Sequence, residues 1–290
     1  MFNIFTRDIV LWNPATRQYR LLPKSLDVKP KDWYEDRDFV GLCFDVETKD
    51  YKVIRVSSYE PRYENGPIPG RNVLRKVQIY CLSSDSWRLV DSDFHTHRSG
   101  QVIGQSLNGI YFHEGVDFTA DPIVRSVILS FDLRKEKYQR VVQIPEQDNW
   151  FELESIDDKL ACITSPYDRT IFIYKVWTLN DYGTAKESWT EIYRVNFMTP
   201  EIEIRYGCCF DGILAISLNG KFCLLKYDSL LCYNSITDEI EDLGFGEGLH
   251  LPTLTATAYK ESLVPLNAEQ QLKLSPRFWV VPTPPRMPDI

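Results

Sequence analysis

The stretch DIVLWNPATRQYRLLP, residues 8–23, holds two short apolar runs separated by a polar turn, and it decides the fold class. Trp12 ends the first run, and Tyr19 opens the second run seven residues later. Asn and Pro favour turns, whereas aromatic and β-branched residues fit a half-buried pleated surface. The stretch therefore predicts an antiparallel hairpin whose two rings lie on one face and pack against a neighbouring sheet.

This spacing of two large apolar residues around a polar turn returns along the chain. One spacing repeated so often indicates a structural repeat, with an aromatic-anchored hairpin in each unit. A further pair, Trp177 and Trp189, has extra residues in its turn. The pairs separated by seven residues are Trp12–Tyr19, Phe44–Tyr51, Tyr80–Trp87, Phe131–Tyr138 and Tyr233–Ile240.

A second recurring feature is a two-residue polar turn that leads into a short apolar strand. Asn-Gly and Asp-Gly are strong hairpin signals because both residues adopt positive φ. Two hairpins make a four-stranded antiparallel sheet, and the spacing is close to that of a kelch-type repeat of about 50 residues. The turns are Asn108–Gly109, Asp157–Asp158, Asp211–Gly212 and Asn219–Gly220, and the repeat units are residues 39–91, 102–145, 155–195 and 210–244.

The sequence therefore predicts an all-β fold, a β-propeller-like, kelch-related array of four-stranded antiparallel sheets. An irregular β-sandwich or stacked meander is the alternative. The chain opens inside a strand pattern, so we expect upstream sequence and an array that is incomplete at its N-terminus. Residues 251–266 are a candidate closing strand beside residues 8–23. We expect one domain over residues 1–266 and a Pro-rich C-terminal tail over 267–290.

The composition argues against nucleic-acid binding and leaves protein binding open. The net charge is −8, whereas nucleic-acid binders usually carry a basic patch. An acidic surface steers basic partners, although the same charge also serves solubility alone. The seven Cys form no C-x-x-C pair and lie mostly in apolar runs, which is typical of a reducing compartment. With no long apolar run, we expect no membrane association and a cytoplasmic location.

No pattern in the chain indicates catalysis, a cofactor or a metal site. His95 and His97 are spaced as on a strand, but a metal site needs further ligands that no motif supplies. GQSLNG, residues 104–109, has the wrong spacing for a nucleophile elbow and leads into a strand. We therefore expect that the chain has no enzymatic activity. The enzymatic alternative is a propeller hydrolase with carboxylates, or His95 and His97, at a central channel.

Two stretches are candidates for binding another protein. Residues 32–38, DWYEDRD, read as an acidic loop with aromatic anchors, and residues 57–72 read as a long loop rich in Pro, Gly, Tyr and Arg. A solvated acidic face and a tolerated insertion are the alternative interpretations. The candidate binding residues are Trp33, Tyr34, Glu35, Asp36, Asp38, Tyr59, Arg62, Tyr63 and Glu64.

The order of these motifs resembles plant F-box proteins that carry an F-box-associated interaction domain. The resemblance covers residues 8–266 and rests on LWNPATRQYRLLP, FVGLCFDVETKDYKVIRV, VQIYCLSSDSWRLVD, SLNGIYF and ILSFDLRKEKYQRVVQIP. The ending TATAYKESLVPL is similar to the S-locus F-box subgroup. The F-box itself, a segment that begins with Leu-Pro and carries Leu/Ile-rich helices, is absent from this chain.

The resemblance implies the substrate-recognition part of a ubiquitin ligase, which binds a target protein and performs no catalysis of its own. In such proteins the F-box docks on a Skp adaptor within a cullin-type ligase, and the associated domain binds the target. In the S-locus subgroup the target is a basic pistil ribonuclease of self-incompatibility, taken up by the pollen tube. A truncated protein-binding scaffold without a ligase link is the alternative.

Overall fold

The structure is a computed structural model, and it divides the chain into two compact units. Unit 1 comprises Met1–Lys24 with Val195–Ile290, and unit 2 comprises Ser25–Arg194. The residues that the structure describes are 8–13, 15–26, 29–31, 33–61, 74–91, 97–98, 104–117, 125–147, 149–166, 173–196, 212–216, 220–226 and 229–243.

Within the described ranges, the strands form one hairpin and four antiparallel sheets. The hairpin pairs β1 (Val10–Asn13) with β2 (Gln18–Leu21). The first sheet contains, in spatial order, β3 (Trp33–Asp45), β4 (Asp50–Pro61), β5 (Leu74–Cys81) and β6 (Ser86–Val90). The second sheet contains β7 (His97–Arg98), β8 (Gln105–Leu107), β9 (Ile110–Asp117), β10 (Arg125–Asp132) and β11 (Lys137–Gln143). In that sheet both β7 and β8 pair with β9.

The remaining strands form two regular meanders. The third sheet contains β12 (Asn149–Ile156), β13 (Lys159–Pro166), β14 (Ile173–Asn180) and β15 (Ser188–Asn196), in that spatial order. The fourth sheet contains β16 (Gly212–Ile216), β17 (Lys221–Lys226), β18 (Ser229–Asn234) and β19 (Glu239–Asp242). The predicted all-β class is confirmed, and within the described ranges every regular element is a strand.

The aromatic pairs with a gap of seven are direct cross-strand partners. Trp12 faces Tyr19, and the other four pairs hold the same register in their own hairpins. In the first hairpin Leu22 N–H donates to the Ile9 carbonyl at 2.9 Å, which places Trp12 and Tyr19 at a non-hydrogen-bonded position where side chains are closest. The ring centroids of Phe44 and Tyr51 are 5.0 Å apart. The predicted placement of the two rings on one face is therefore confirmed, but Trp12 and Phe44 are 40% and 39% exposed, so the predicted burial against a neighbouring sheet is wrong for these two rings.

The spacing of seven residues arises from one turn geometry. In each hairpin the last paired residues before the turn are separated by four turn residues. The residue five positions after the first aromatic adopts a left-handed φ in each case: Arg17, Lys49, Asp85, Glu136 and Asp238, with φ between 49° and 57°. In four of the turns an Asx residue directly after the first aromatic accepts a backbone N–H from two residues on: Asn13, Asp45, Asp132 and Asn234. Turn chemistry therefore sets the repeat.

The two-residue turns also follow the prediction where the structure describes them. Asn108 and Gly109 have φ of 51° and 79°, and Asp157 and Asp158 have φ of 50° and 55°. Two consecutive positive φ values define a type I′ turn, whose twist suits the strands of a hairpin. In the fourth sheet, Asp211 and Asn219 lie outside the described residues.

The core of unit 2 lies between consecutive sheets. One apolar cluster joins the first and second sheets, and another joins the second and third, so the second sheet is covered on both faces. The buried residues of the first cluster are Cys43, Ile54, Val56, Val77, Ile79, Val90, Tyr111, Phe131 and Leu133. Those of the second are Phe112, Ile128, Val142, Ile144, Phe151, Leu153, Leu160, Cys162 and Leu179.

Two segments predicted as loops are strands instead. Residues 33–38 form the first half of β3, and residues 57–61 form the last part of β4. The charged residues suggested a loop. However, β3 is an edge strand of its sheet, and edge strands commonly carry charged residues and bulges. The register between β3 and β4 shifts between Glu35 and Arg37, which leaves Asp36 as a bulge residue.

Candidate protein-binding end of the sheets

The structure brings together the two stretches that the sequence offered as separate binding loops. They pair as one antiparallel hairpin of the first sheet, in which Trp33 faces Pro61, Tyr34 faces Glu60 and Glu35 faces Tyr59. We call residues 33–38 of β3 and 57–61 of β4 the acidic hairpin end. The pairing places an acidic segment beside the strand that leads into residues 62–73, and it continues the Phe44–Tyr51 hairpin that the sequence analysis predicted only near its turn.

The structure describes some candidate binding residues in full, others by their backbone alone, and others not at all. Trp33 is half-buried, and Tyr59 is 3% exposed in β4, a position suited to packing. Tyr34, Glu35, Asp36 and Asp38 have a described backbone in β3, whereas their side chains lie outside the described part. Residues Arg62, Tyr63 and Glu64 lie outside the described residues. A binding role for these residues stays a prediction.

The tight turns of unit 2 lie at the opposite end of the sheets from the acidic hairpin end. The turn after β3 meets the turn after β10 through Glu47 and Arg134, 2.8 Å apart. Arg140 on β11 pairs with Glu187 in the turn before β15 at 2.9 Å, and its guanidinium lies 5.6 Å from the centre of the Tyr182 ring. The other end of the first sheet leads into the 12-residue connection between β4 and β5, and long connections carry binding residues more often than tight turns do.

A buried polar cluster lies between the first and second sheets. His113 is 2% exposed, its Nδ1 lies 2.8 Å from the Glu114 carbonyl, and its Nε2 lies 3.1 Å from the Tyr138 hydroxyl. Since a carbonyl only accepts, Nδ1 carries the proton and Nε2 accepts from Tyr138. Burial, the largest cause, and the Arg75 charge together lower the pKa of His113 to about 4, although the hydrogen bond to Glu114 opposes them. This neutral histidine orders the core, and no motif pointed to it.

Two carboxylates on β12 are the other feature that sequence reasoning missed. Glu152 and Glu154 lie two residues apart on one face of the strand, opposite the face that carries Phe151 and Leu153 into the core. Burial, and to a smaller extent the neighbouring Glu154 charge, raise the pKa of Glu152 to about 8. Burial also raises the pKa of Glu154 to about 7. Gln105 Nε2 contacts the Glu154 carboxylate at 3.5 Å.

A hydrogen-bonded network lies beside the third sheet, near the end opposite its turns. The Thr164 hydroxyl donates to Glu146 at 3.0 Å and accepts from Trp177 Nε1 at 3.0 Å. Lys175 pairs with the same Glu146 carboxylate and lies 6.0 Å from the centre of the Trp177 ring. Each charged group in this network has a partner, so the network fixes the connection between β11 and β12.

The described residues offer no metal-binding cluster of three or more His, Cys, Asp or Glu side chains. His97 pairs with Asp117 in the β7–β9 ladder, and His95 lies outside the described residues. Among the described residues, no helix could span a membrane.

The described strands define an all-β protein built from repeated antiparallel sheets. Over residues 1–266 the chain matches the family model "F-box associated beta propeller domain", and it therefore belongs to that family. The finer S-locus assignment does not follow from this match.

Curated relatives agree with the family. The chain is 27% identical over 207 residues to "F-box protein CPR1" of Arabidopsis thaliana, covering 65% of this chain and 48% of that protein. It is 28% identical over 227 residues to "F-box protein At5g18160" of Arabidopsis thaliana, covering 77% of this chain and 52% of that protein. The chain thus spans about half the length of these relatives.

Among solved structures, the chain is similar to the crystal structure of Porphyromonas gingivalis dipeptidyl peptidase 4. The TM-score is 0.42 at 8% identity, with 82% of this chain and 39% of that chain covered. A likeness at this level carries no argument about fold or function.

Proposed function

We propose that this chain is the substrate-recognition domain of an F-box protein and binds a target protein for ubiquitination without catalysis of its own. The observation that carries the proposal is the family match over residues 1–266. The relatives named F-box proteins support it, since they share this domain over about half their length. In this arrangement a Skp adaptor and cullin act through an F-box, and ubiquitin transfer belongs to partner enzymes in the cytoplasm.

The acidic hairpin end is the proposed docking surface. It joins the acidic segment 33–38 to the strand that leads into residues 62–64, so the candidate residues that the structure describes lie on one hairpin. An edge strand with a bulge presents side chains and backbone groups that a partner can contact. With a net charge of −8 on the chain, a basic target is favoured, and its association weakens as salt rises.

The finer proposal is that the target is a basic pistil S-ribonuclease, as the ending TATAYKESLVPL and the acidic charge suggest. Calorimetric titration of the purified chain against a panel of basic pistil ribonucleases, at low and at high salt, tests it. Tight, allele-dependent binding that weakens with salt is the expected result. A folded chain that binds none of them overturns the ribonuclease proposal and leaves the family membership standing.

Charge reversal tests the docking surface. The triple variant Glu35→Lys, Asp36→Lys and Asp38→Lys is expected to weaken binding of a basic target at least tenfold and to flatten its salt dependence. The matched control reverses three charges on β19, at Glu239, Glu241 and Asp242, and is expected to retain binding. Equal affinity in both variants would place the docking surface elsewhere. Near-native circular dichroism of each variant confirms that it folds.

A further inference from the structure

Two cysteines of the fourth sheet face each other across neighbouring strands. Cys223 on β17 is the direct register partner of Cys232 on β18. Both are free thiols with half-buried side chains. The adjacent residues Phe222, Leu231 and Tyr233 point to the opposite face and are 7% exposed or less. The two sulfurs therefore share the more accessible face of the sheet.

The hydrogen bonds of this ladder fix how close the two cysteines are. Ser235 N–H donates to the Gly220 carbonyl at 2.9 Å, so this pair is a hydrogen-bonded position. Such positions alternate along an antiparallel pair, which makes Cys223–Cys232 a non-hydrogen-bonded position. There the Cα atoms lie about 4.5 Å apart, at the short end of the range of about 4.4–6.8 Å that a disulfide spans.

We propose that Cys223 and Cys232 form a reversible oxidation site, which a small disulfide such as oxidised glutathione converts into a cross-strand disulfide. One cysteine thiolate attacks a glutathione sulfur, and a first reduced glutathione leaves. The second cysteine attacks the mixed disulfide, and a second reduced glutathione leaves. The two thiols lose two protons and two electrons, and oxidised glutathione takes up both to give two thiols. The protein contributes only the register of the two strands.

The other described cysteines are poor sites for this reaction. Cys43 and Cys162 are at most 1% exposed, and burial raises the pKa of the Cys43 thiol to about 12. Burial also raises the pKa of Cys162 well above its ordinary value. Cys81 is half-buried, but its partners across the sheet are Lys52 and Ser86. Burial and the neighbouring Cys232 raise the pKa of Cys223 as well, but its half-buried side chain remains accessible to a small disulfide, whereas full burial shields Cys43 and Cys162.

The accessible position of the pair also favours reversibility. An exposed disulfide has a higher reduction potential than a buried structural one and is easier to reduce, and both cysteines lie on the more accessible face of the sheet. The oxidised form is therefore expected to return to two thiols in millimolar reduced glutathione. Structural disulfides of secreted proteins resist that treatment, so this behaviour marks a regulatory site.

Peptide mapping of the full native chain tests the proposal. The chain is incubated with excess oxidised glutathione, its remaining thiols are blocked with N-ethylmaleimide, and it is cleaved with trypsin. The expected product joins peptide Phe222–Lys226 to peptide Tyr227–Lys260. Cys208 and Cys209 lie in a separate peptide, Tyr206–Lys221, so a link to either has a different mass. Cys232→Ser is expected to abolish the product, whereas Cys81→Ser leaves it unchanged.

Two further readouts make the result decisive. Reduced glutathione at millimolar concentration should remove the link, and unfolding the wild-type chain in urea before oxidation should lower its yield at least fivefold. The second readout needs no variant, so it holds even if Cys232→Ser fails to fold. Separate glutathione adducts or separately blocked thiols on Cys223 and Cys232 would overturn the proposal, as would equal yield from the unfolded chain.

Discussion

Lys52 on β4 donates from Nζ to Oδ2 of Asp45, the last residue of β3, over 2.6 Å, and both side chains are 7% exposed. The other carboxylate oxygen of Asp45 accepts backbone N–H groups of Glu47 at 3.0 Å and Thr48 at 3.4 Å. Burial alone would raise the pKa of Asp45, but these hydrogen bonds outweigh it and hold the pKa at about 2. One carboxylate thus closes the turn and neutralises a buried lysine.

The variant Asp45→Asn is expected to lower the free energy of unfolding by about 3 kcal/mol. The amide keeps an oxygen for the turn but leaves the Lys52 charge buried without a counterion. Urea denaturation at neutral pH measures the loss. The double variant Asp45→Asn with Lys52→Met is the control, since it also removes the buried Lys52 charge that has lost its counterion, and it should recover most of the stability.

The same pair makes stability depend on pH in a known direction. The pKa of Asp45 is about 2 in the folded chain against an ordinary 3.8, so its stabilisation is present above about pH 4 and is lost as the pH falls towards 2. The difference between wild type and Asp45→Asn should therefore shrink over that range. A difference that stays constant with pH would contradict the assignment.

Glu152→Gln is expected to stabilise unit 2 at alkaline pH. The pKa of Glu152 is about 8 in the folded chain against an ordinary 4.5, so the folded chain binds more protons and loses stability as the pH rises through that window. The amide removes this loss and should raise the free energy of unfolding by about 2 kcal/mol at pH 9. Thermal melts of both proteins across pH 5–9 check it.

The matched control for Glu152→Gln is Glu239→Gln. Glu239 lies on β19 and is exposed, so its neutral variant should melt in parallel with wild type at every pH. A parallel pH profile for Glu152→Gln as well would show that Glu152 is solvated in solution.

Gly41→Ala is expected to destabilise the interface between the first and second sheets by about 3 kcal/mol. A Cβ at this position would overlap the Tyr111 ring, which is 1% exposed and has no room to move away. In a double-mutant cycle, Gly41→Ala combined with Tyr111→Ala should cost less than the sum of the single changes. Additive losses would contradict the contact.

Lys49→Gly is expected to stabilise the turn between β3 and β4 by about 0.5–1 kcal/mol. Lys49 is exposed and adopts a φ of 51°, which glycine adopts without the steric cost of a Cβ. Chemical denaturation measures the gain. Lys49→Ala keeps the Cβ and is the control; a similar gain from alanine would assign the effect to the lost charge.

The repeat in the sequence was sufficient to predict the hairpins because their determinants are local. Trp12 and Tyr19 face each other since a four-residue turn with a left-handed residue at Arg17 places them there. The Asn108–Gly109 turn needed only its own two residues. Interactions between residues this close in sequence can be predicted from the order of the residues alone.

Interactions between distant segments were decided by the tertiary structure alone. The charges of residues 33–38 suggested a loop, whereas pairing with residues 57–61 makes that segment a strand. The pKa shifts of Glu152 and His113 come from burial that no local pattern encodes. The sequence by itself thus determined the all-β class, its turns and its family resemblance. Strand pairing decided which segments meet, and packing between sheets decided which charges are buried, because register and desolvation depend on neighbours far away in the chain.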